Sequence, residues 1–287
     1  MQVLNTVKDW FRQQGAGEIT RLEALAGGCI NDTLRIFTAN QTVLVLKQLP
    51  DAPDNFFAAE AAGLRALAAT ASLRVPQVIH VDAQFLLLED LGNGSAGRDY
   101  WQNLGSGLAA LHAQAQPSFG FTADNYCGRT PQQNPPMTDG FAFFARYRLL
   151  ALGRQAQARG LLTVAELALL EKVADRLPDW IPQQAPALLH GDLWSGNVHC
   201  DARGQAALID PACYWGWPEA ELAMTTLFGA FAADFYRTYS EASGMAHDWR
   251  ERASLYNLYH LLNHLLLFGG SYHAQVLSIL QRYGGRS

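Results

Sequence analysis

Lysine is scarce in this chain: among 287 residues only Lys8, Lys47 and Lys172 carry an ammonium group. Charged residues make up 16% and the net charge is −5 at pH 7, with no basic run. That balance excludes the electrostatic footprint of a nucleic-acid or acidic-membrane binder. Cysteine is also sparse. Cys29, Cys127, Cys200 and Cys213 show no Cys-x-x-Cys spacing, and reduced thiols in a cytoplasmic protein are expected. Long hydrophobic runs are missing, because His264 interrupts the longest one (Leu258 to Phe268) and Gly269-Gly270 ends it, short of a membrane span. The first residues, Met1 to Gln14, place Lys8, Asp9 and Arg12 inside an amphipathic pattern, which is not a signal peptide. Neither an internal repeat nor a low-complexity tract occurs. What is present is globular composition, 49% hydrophobic, in a chain long enough for two lobes.

The densest chemistry lies between Leu188 and Asp210, L-L-H-G-D-L-W-S-G-N-V-H-C-D-A-R-G-Q-A-A-L-I-D. Asp192 is followed five positions on by Asn197, and a short apolar run, Ala206 to Ile209, ends in Asp210. An aspartate, four intervening residues and an asparagine make the pattern of a kinase catalytic loop. There the aspartate accepts a hydroxyl proton, and the asparagine and a later strand-end aspartate hold magnesium. Phosphoryl transfer needs positioning and charge neutralisation above all, so hard oxygen ligands for Mg²⁺ are its minimum equipment. A polar loop with an Asx turn at Asn197 would explain any one of these residues, but not all of them in this order.

Upstream, a helical pattern (Val3, Leu4, Val7, Trp10, Phe11) stops at Gly15-Ala16-Gly17. Strand-like runs follow at Ile19 to Leu25 and Thr33 to Phe37, flanking Gly27-Gly28-Cys29-Ile30-Asn31. Glycines there let backbone amides approach phosphates, although a plain hairpin turn gives the same pattern. Lys47 tips the balance by ending the run Thr42 to Leu46, as the phosphate-binding lysine of kinases does. The Ala-rich helical segment Phe56 to Ala69 contains Glu60, which fits the ion pair that fixes such a lysine. Further strands are expected at Val75 to Ile79 and Phe85 to Leu88. They lead into Glu89-Asp90-Leu91-Gly92, a link whose backbone would face adenine.

The larger part is expected to be helical, at Tyr100 to His112, Phe141 to Gln157, Thr163 to Leu177, Leu222 to Phe231, Phe235 to Ala242, Asp248 to Phe268 and Ala274 to Tyr283. Pro117 to Gly140 is a long Gly/Pro/Asn/Gln-rich segment whose Phe119, Phe121 and Tyr126 argue that it packs. Only Pro211 to Trp217 separate Asp210 from Pro218-Glu219, and none of them is Ser or Thr, so a small acceptor is favoured over a docked peptide. His260 and His264 are spaced i, i+4 but lack the glutamate of His-Glu-x-x-His. Histidines hydrogen-bonded in the core are therefore expected.

Assembled, the sequence resembles the fructosamine kinase (ketosamine-3-kinase) family over nearly its full length. The stretches that carry this are G-G-C-I-N at 27–31, F-G-F-T-A-D-N-Y-C-G-R-T-P-Q-Q-N at 119–134, H-G-D-L-W-S-G-N at 190–197, I-D-P-A-C-Y-W-G-W-P-E at 209–219 and Y-H-L-L-N-H at 259–264. The resemblance implies an α+β, protein-kinase-like two-lobed fold. It consists of a small antiparallel-sheet ATP-binding lobe with one core helix (1–91) and a larger, mainly helical catalytic lobe (92–287). It also implies transfer of the ATP γ-phosphate to the sugar 3-hydroxyl of a ketosamine, free or protein-bound, which promotes deglycation. Three departures from the family's usual pattern bear on the acceptor: Trp215-Gly216-Trp217 replaces Tyr-Gly-His, Pro135-Pro136 and Gly140 stand where Trp is usual, and Glu221 stands where Asp is common.

On this reading Asp192 is the base, Asn197 and Asp210 bind Mg²⁺, and Lys47, fixed by Glu60, holds the phosphates of ATP. Residues Gly27, Gly28, Cys29, Ile30 and Asn31 cover the nucleotide, Glu89, Asp90 and Leu91 form the link, and Trp194 stacks on the sugar or packs under the loop. Cys29 in the phosphate loop invites a redox switch through an intermolecular disulfide, so monomer and redox-dependent homodimer both stay open. A related amino-alcohol or antibiotic kinase and a non-catalytic nucleotide-binding regulator are the alternative functions.

Overall fold

The structure, a computed structural model, describes residues 2–25 and 32–285. It divides into two compact units: Met1–Tyr100 with Val198–Pro211, and Trp101–Asn197 with Ala212–Ser287.

The first unit is built on a five-stranded antiparallel sheet of order β1-β2-β3-β5-β4. Its strands are β1 (Ile19–Ala24), β2 (Asp32–Thr38), β3 (Val43–Gln48), β4 (Val78–Val81) and β5 (Phe85–Glu89). Alternation along these strands sorts the residues by face. Leu34, Ile36, Leu44, Leu46, Phe85 and Leu87 form one face, against which the helix α1 (Gln2–Gln13) lays Val3, Val7 and Phe11. Lys47, the neighbour of Leu46, therefore points to the opposite face, towards the helix α2 (Phe56–Ala69). Strand β4 begins later than the expected Val75, because Pro76 has no amide to give a ladder.

A hairpin far downstream in sequence completes this unit. It pairs β9 (Val198–Cys200) with β10 (Ala206–Leu208), and Asp201 Oδ1 accepts the amides of Arg203 and Gln205 at the turn, both at 2.9 Å. Three backbone bonds tie it in: Gly94 N to Cys200 O (3.2 Å), Ala202 N to Leu91 O (2.9 Å) and Leu208 N to Arg74 O (2.8 Å). The observed division thus differs from a single cut after residue 91.

The second unit is mainly helical, with α3 (Tyr100–His112), α4 (Gly140–Phe143), α5 (Ala151–Ala158), α6 (Val164–Asp175), α7 (Pro218–Met224), α8 (Ala233–Ser243), α9 (Trp249–Phe268) and α10 (His273–Gly284). Two short antiparallel pairs join it: β6 (Asn125–Cys127) with β7 (Thr130–Gln132), and β8 (Ala187–Leu189) with β11 (Tyr214–Gly216). Thr163 and Glu166 close a reciprocal capping box on α6.

Two helices depart from expectation. The Phe141–Gln157 pattern is α4 and α5 separated by a π-helical turn at Phe144–Leu150. That turn accompanies a fully buried Arg148, whose guanidinium donates to Gln133 O (2.9 Å) and Asn134 Oδ1 (2.6 Å) and lies 4.1 Å from the Tyr214 ring centre. The apolar run Leu222–Phe231 is not one helix. Helix α7 starts at Pro218, suited to a first turn, and ends at Met224. Beyond it the Thr225 and Thr226 hydroxyls take the Leu222 and Ala223 carbonyls, each at 2.7 Å. The segment Pro117 to Gly140 packs as its aromatics suggest, with Phe119 and Phe121 buried.

Candidate active site

In the first unit, Lys47 is buried and its Nζ lies 2.5 Å from Glu60 Oε1 and 2.9 Å from Asp210 Oδ1. Burial disfavours the ammonium, but the Asp210 and Glu60 carboxylates outweigh it and hold the lysine pKa above its ordinary value. The lysine is a fixed cation. Glu60 is 10% exposed while Asp210 is 43% exposed, so only Asp210 presents oxygen to an incoming ligand. Asp210 adopts φ +56°, a left-handed conformation that aspartate tolerates better than most residues.

The link beside this triad is internally braced. Asp90 is paired with Arg35 at 3.0 Å and accepts the Gly92 amide at 3.2 Å. Glu89 bonds Arg74 and accepts the Gln77 amide at 3.1 Å. The Leu91 carbonyl takes Ala202 N, and the Gly92 carbonyl takes His199 Nε2 at 2.5 Å. Gly27, Gly28, Cys29, Ile30 and Asn31 lie outside the described residues.

In the second unit, the loop His190–Asn197 is folded on itself. Asn197 Nδ2 donates to the Asp192 carbonyl (2.8 Å) and to its carboxylate Oδ2 (3.2 Å), so the two motif residues meet. The loop is anchored from beneath by Glu221 of α7, whose carboxylate accepts the amides of His190 (2.7 Å) and Gly191 (2.8 Å). Its burial alone would raise the Glu221 pKa. The His112 imidazole, His190 and the Gly191 amide prevail and keep it below the usual carboxylate range. Gly191 itself has φ +83°, and a Cβ there would stand 2.1 Å from the Ala212 carbonyl, so no other residue fits.

Glu221 appears in the sequence only as a departure from aspartate, and its anchoring role was missed. One signal is visible: an acid flanked by Ala220, Leu222 and Ala223 in an apolar helix must find donors. Glu219 was missed in the same way. It is buried, held by Arg252 at 2.5 Å and by the Tyr256 hydroxyl at 2.9 Å.

The tract 119–134 forms a buried polar lattice. Asn125 Nδ2 donates to Cys213 O (2.7 Å), while Gln132 Nε2 donates to Asn125 Oδ1 (2.8 Å) and Ala212 O (3.1 Å). Asn134 joins the same Asn125 oxygen at 2.8 Å and accepts Arg148. This lattice fixes the chain just after Asp210-Pro211 and sets Cys127 within metal-ligand reach of Asp192 and His260.

The α9 histidines differ from expectation. His260 and His264 are not hydrogen-bonded through Nδ1, which in both rings is buried without a partner. Burial, with the fields of His264 and Arg148, lowers the His260 pKa to about 3, so its 3.9 Å approach to Asp192 is not an ion pair. His264 instead stacks on Phe228, with ring centres 4.7 Å apart. Trp194 is half-buried, edge-on to Phe228 at 5.9 Å, and its ring lies over Gly196, where a Cβ would be 2.3 Å away.

Two of the departures, Trp217 and Gly140, serve packing. Trp217 is buried among Phe119, Phe141, Phe144 and Tyr256. Gly140 leaves room for the Phe119 ring, which a Cβ would meet at 2.4 Å.

Comparison with known proteins agrees with these features. The sequence pattern of fructosamine kinases matches residues 3–284. A probable ketoamine kinase of Synechocystis sp. is 42% identical over 94% of this chain and 93% of its own. The chloroplastic protein-ribulosamine 3-kinase of Oryza sativa subsp. japonica is 33% identical over 96% of this chain and 83% of its own. A crystal structure from Thermobifida fusca, named as a fructosamine-3-kinase, superposes with a TM-score of 0.88 at 35% identity, covering 99% of both chains. A macrolide 2'-phosphotransferase type I, 15% identical with a TM-score of 0.66 over 96% of each chain, shares the fold alone. The fold is thus the α+β, protein-kinase-like one, and by sequence and by architecture this chain belongs to the fructosamine kinase family.

Proposed function

We propose that the protein transfers the γ-phosphoryl group of ATP to the 3-hydroxyl of a ketosamine, a sugar joined to an amine through an Amadori linkage, so that the adduct breaks down and the amine is restored. The observation that carries this reading is Lys47 held between Glu60 and Asp210 at 2.5 and 2.9 Å, together with membership of the family. A buried lysine fixed by one carboxylate and touching an exposed second one is the arrangement that grips nucleotide phosphates beside a metal ligand.

Asp192 accepts the proton of the acceptor hydroxyl. Asn197 steadies the Asp192 carboxylate through Nδ2, which leaves its side-chain oxygen for a cation. Asp210, with Oδ1 on Lys47, keeps Oδ2 for the same purpose. Each is a hard oxygen donor of the kind Mg²⁺ takes, so each side chain by its chemistry fits the ion. When bound, the metal neutralises charge on the β- and γ-phosphates. Lys47 orients the phosphates, Glu221 keeps the His190-Gly191 backbone from shifting, and Trp194 offers a flat apolar face to the sugar. Cys127 and Cys200, both thiols, suit a reducing cytoplasm. Among the described residues no helix is long and apolar enough to cross a membrane.

The test is a panel of acceptors with Mg·ATP: ribulosamine and fructosamine adducts of blocked lysine, choline and an aminoglycoside, followed by ADP release and by ³¹P NMR of the product. Phosphorylation of a ketosamine at its 3-hydroxyl, lost by at least 10²-fold in Asp192→Ala with ATP affinity unchanged, is expected. Turnover confined to choline or the aminoglycoside, or wild-type rates in Asp192→Ala, overturns it.

A further inference from the structure

Cys127, Asp192 and His260 are far apart in sequence, and the role proposed above uses only the aspartate. Their ligand atoms all lie within 4.8 Å of one another. Cys127 closes β6 and is buried, with Asn263 Nδ2 donating to its Sγ at 3.3 Å and to its carbonyl at 3.2 Å. His260 sits one turn before His264 on α9 and is 4% exposed. Its Nδ1 has no hydrogen-bond partner and stands 3.9 Å from Asp192 Oδ1. A buried imidazole nitrogen left without a partner loses solvation that nothing in the fold replaces.

The donor chemistry is selective. Thiolate, imidazole and carboxylate together suit a borderline-soft divalent ion of the zinc class, whereas magnesium prefers oxygen alone. Tetrahedral bonds of about 2.0–2.3 Å place donor atoms roughly 3.3–3.8 Å apart. The His260–Asp192 edge, at 3.9 Å, stands just outside that spacing, and no edge exceeds 4.8 Å, so closure asks for shifts of about 1 Å or less, to which a rotamer change in half-buried Asp192 contributes.

We propose that Cys127, Asp192 and His260 form a three-ligand site for a divalent transition metal of the zinc class, and that its occupancy stops phosphoryl transfer by taking the Asp192 carboxylate as a ligand. Binding converts the Cys127 thiol to a thiolate and releases one proton to solvent; the fourth position takes water. The inhibitory half rests on Asp192 being the group that meets the acceptor. The binding half does not.

Two readouts separate them. Equilibrium dialysis of the full chain against Zn²⁺, without nucleotide, is expected to load one ion. Co²⁺ in its place is expected to give a thiolate-to-metal charge-transfer band in the near ultraviolet, lost in Cys127→Ala and kept in Cys29→Ser. In the kinase assay at saturating Mg·ATP, micromolar free Zn²⁺ is expected to inhibit reversibly with a chelator. Cys127→Ala is expected to keep the uninhibited rate and to need at least tenfold more Zn²⁺. Should that variant fail to fold, Cys127→Ser takes its place, checked by circular dichroism. No bound ion, or a charge-transfer band that survives removal of Cys127, overturns the site. Zinc bound with the band but no loss of rate overturns the inhibition, and with it the role of Asp192, while leaving the site standing.

Discussion

The Gly191 amide donates to Glu221 Oε1 at 2.8 Å, so the loop that carries Asp192 hangs from a carboxylate buried in α7. Truncating Glu221 to Ala leaves two amides without an acceptor and removes one of the two partners of His112, the other being the Tyr239 hydroxyl. We expect a stability loss of about 3–5 kcal/mol, the range for breaking a buried charged network, read from urea denaturation. Because the folded pKa of Glu221 is depressed, its contribution is complete above the unfolded value of roughly 4.3 and is lost as pH falls through the lower folded value. The acid limb of the stability profile therefore begins below about pH 4.3, and Glu221→Gln flattens it.

Lys47 and Glu60 make a second, separable case. Lys47→Met leaves Glu60 buried beside an apolar side chain, and a loss of about 3–5 kcal/mol is expected. The pair Lys47→Met with Glu60→Leu removes both charges and is expected to regain most of that stability, since buried ion pairs replaced by packed apolar residues are often neutral. Phosphoryl transfer stays at least about 10²-fold down in both. Recovery of activity together with stability would assign the lysine a purely structural role.

Asp210 combines a left-handed backbone with an exposed carboxylate. Asp210→Asn keeps a residue at home at positive φ, whereas Asp210→Ala adds about 1 kcal/mol of strain. Both are expected to lose turnover and to need more Mg²⁺, but only the alanine variant is expected to show a lower thermal midpoint. A scanning calorimeter and a magnesium titration separate the two effects.

Gly196 is open to a conservative test of the acceptor side. Gly196→Ala places a methyl group where the Trp194 ring lies, 2.3 Å away in the native geometry. The ring has to move. If it faces the sugar, KM for the ketosamine rises roughly tenfold or more while KM for ATP holds, a displacement near 1 Å being enough. Equal changes in both constants would place Trp194 in packing alone.

Much of this was legible because local pattern and chemistry coincide. The i, i+2 alternation of Leu44 and Leu46 puts Lys47 on the far side of its strand, and the Ala-rich stretch around Glu60 reads as a helix whose limits match Phe56–Ala69. The motif spacing from Asp192 to Asn197 closes as a hydrogen bond within one loop. What escaped depends on partners distant in sequence. Glu221 gains its role from the backbone of His190, the π-helical turn accompanies the burial of Arg148, and the orphaned Nδ1 of His260 has meaning only beside Cys127 and Asp192. The end of α7 also escaped, because Thr225 and Thr226 look helix-compatible until their hydroxyls capture the preceding carbonyls.

The sheet-bearing unit takes its last piece, Val198–Pro211, from beyond more than half of the second unit's chain. As the chain leaves the ribosome, Lys47 and Glu60 emerge well before Asp210, and Leu91 and Arg74 emerge before their backbone partners. That nascent portion waits, incomplete, while the intervening helices are made. The sequence of synthesis and the sequence of assembly therefore part company, and neither unit exists as an uninterrupted stretch that could be lifted out and expressed by itself.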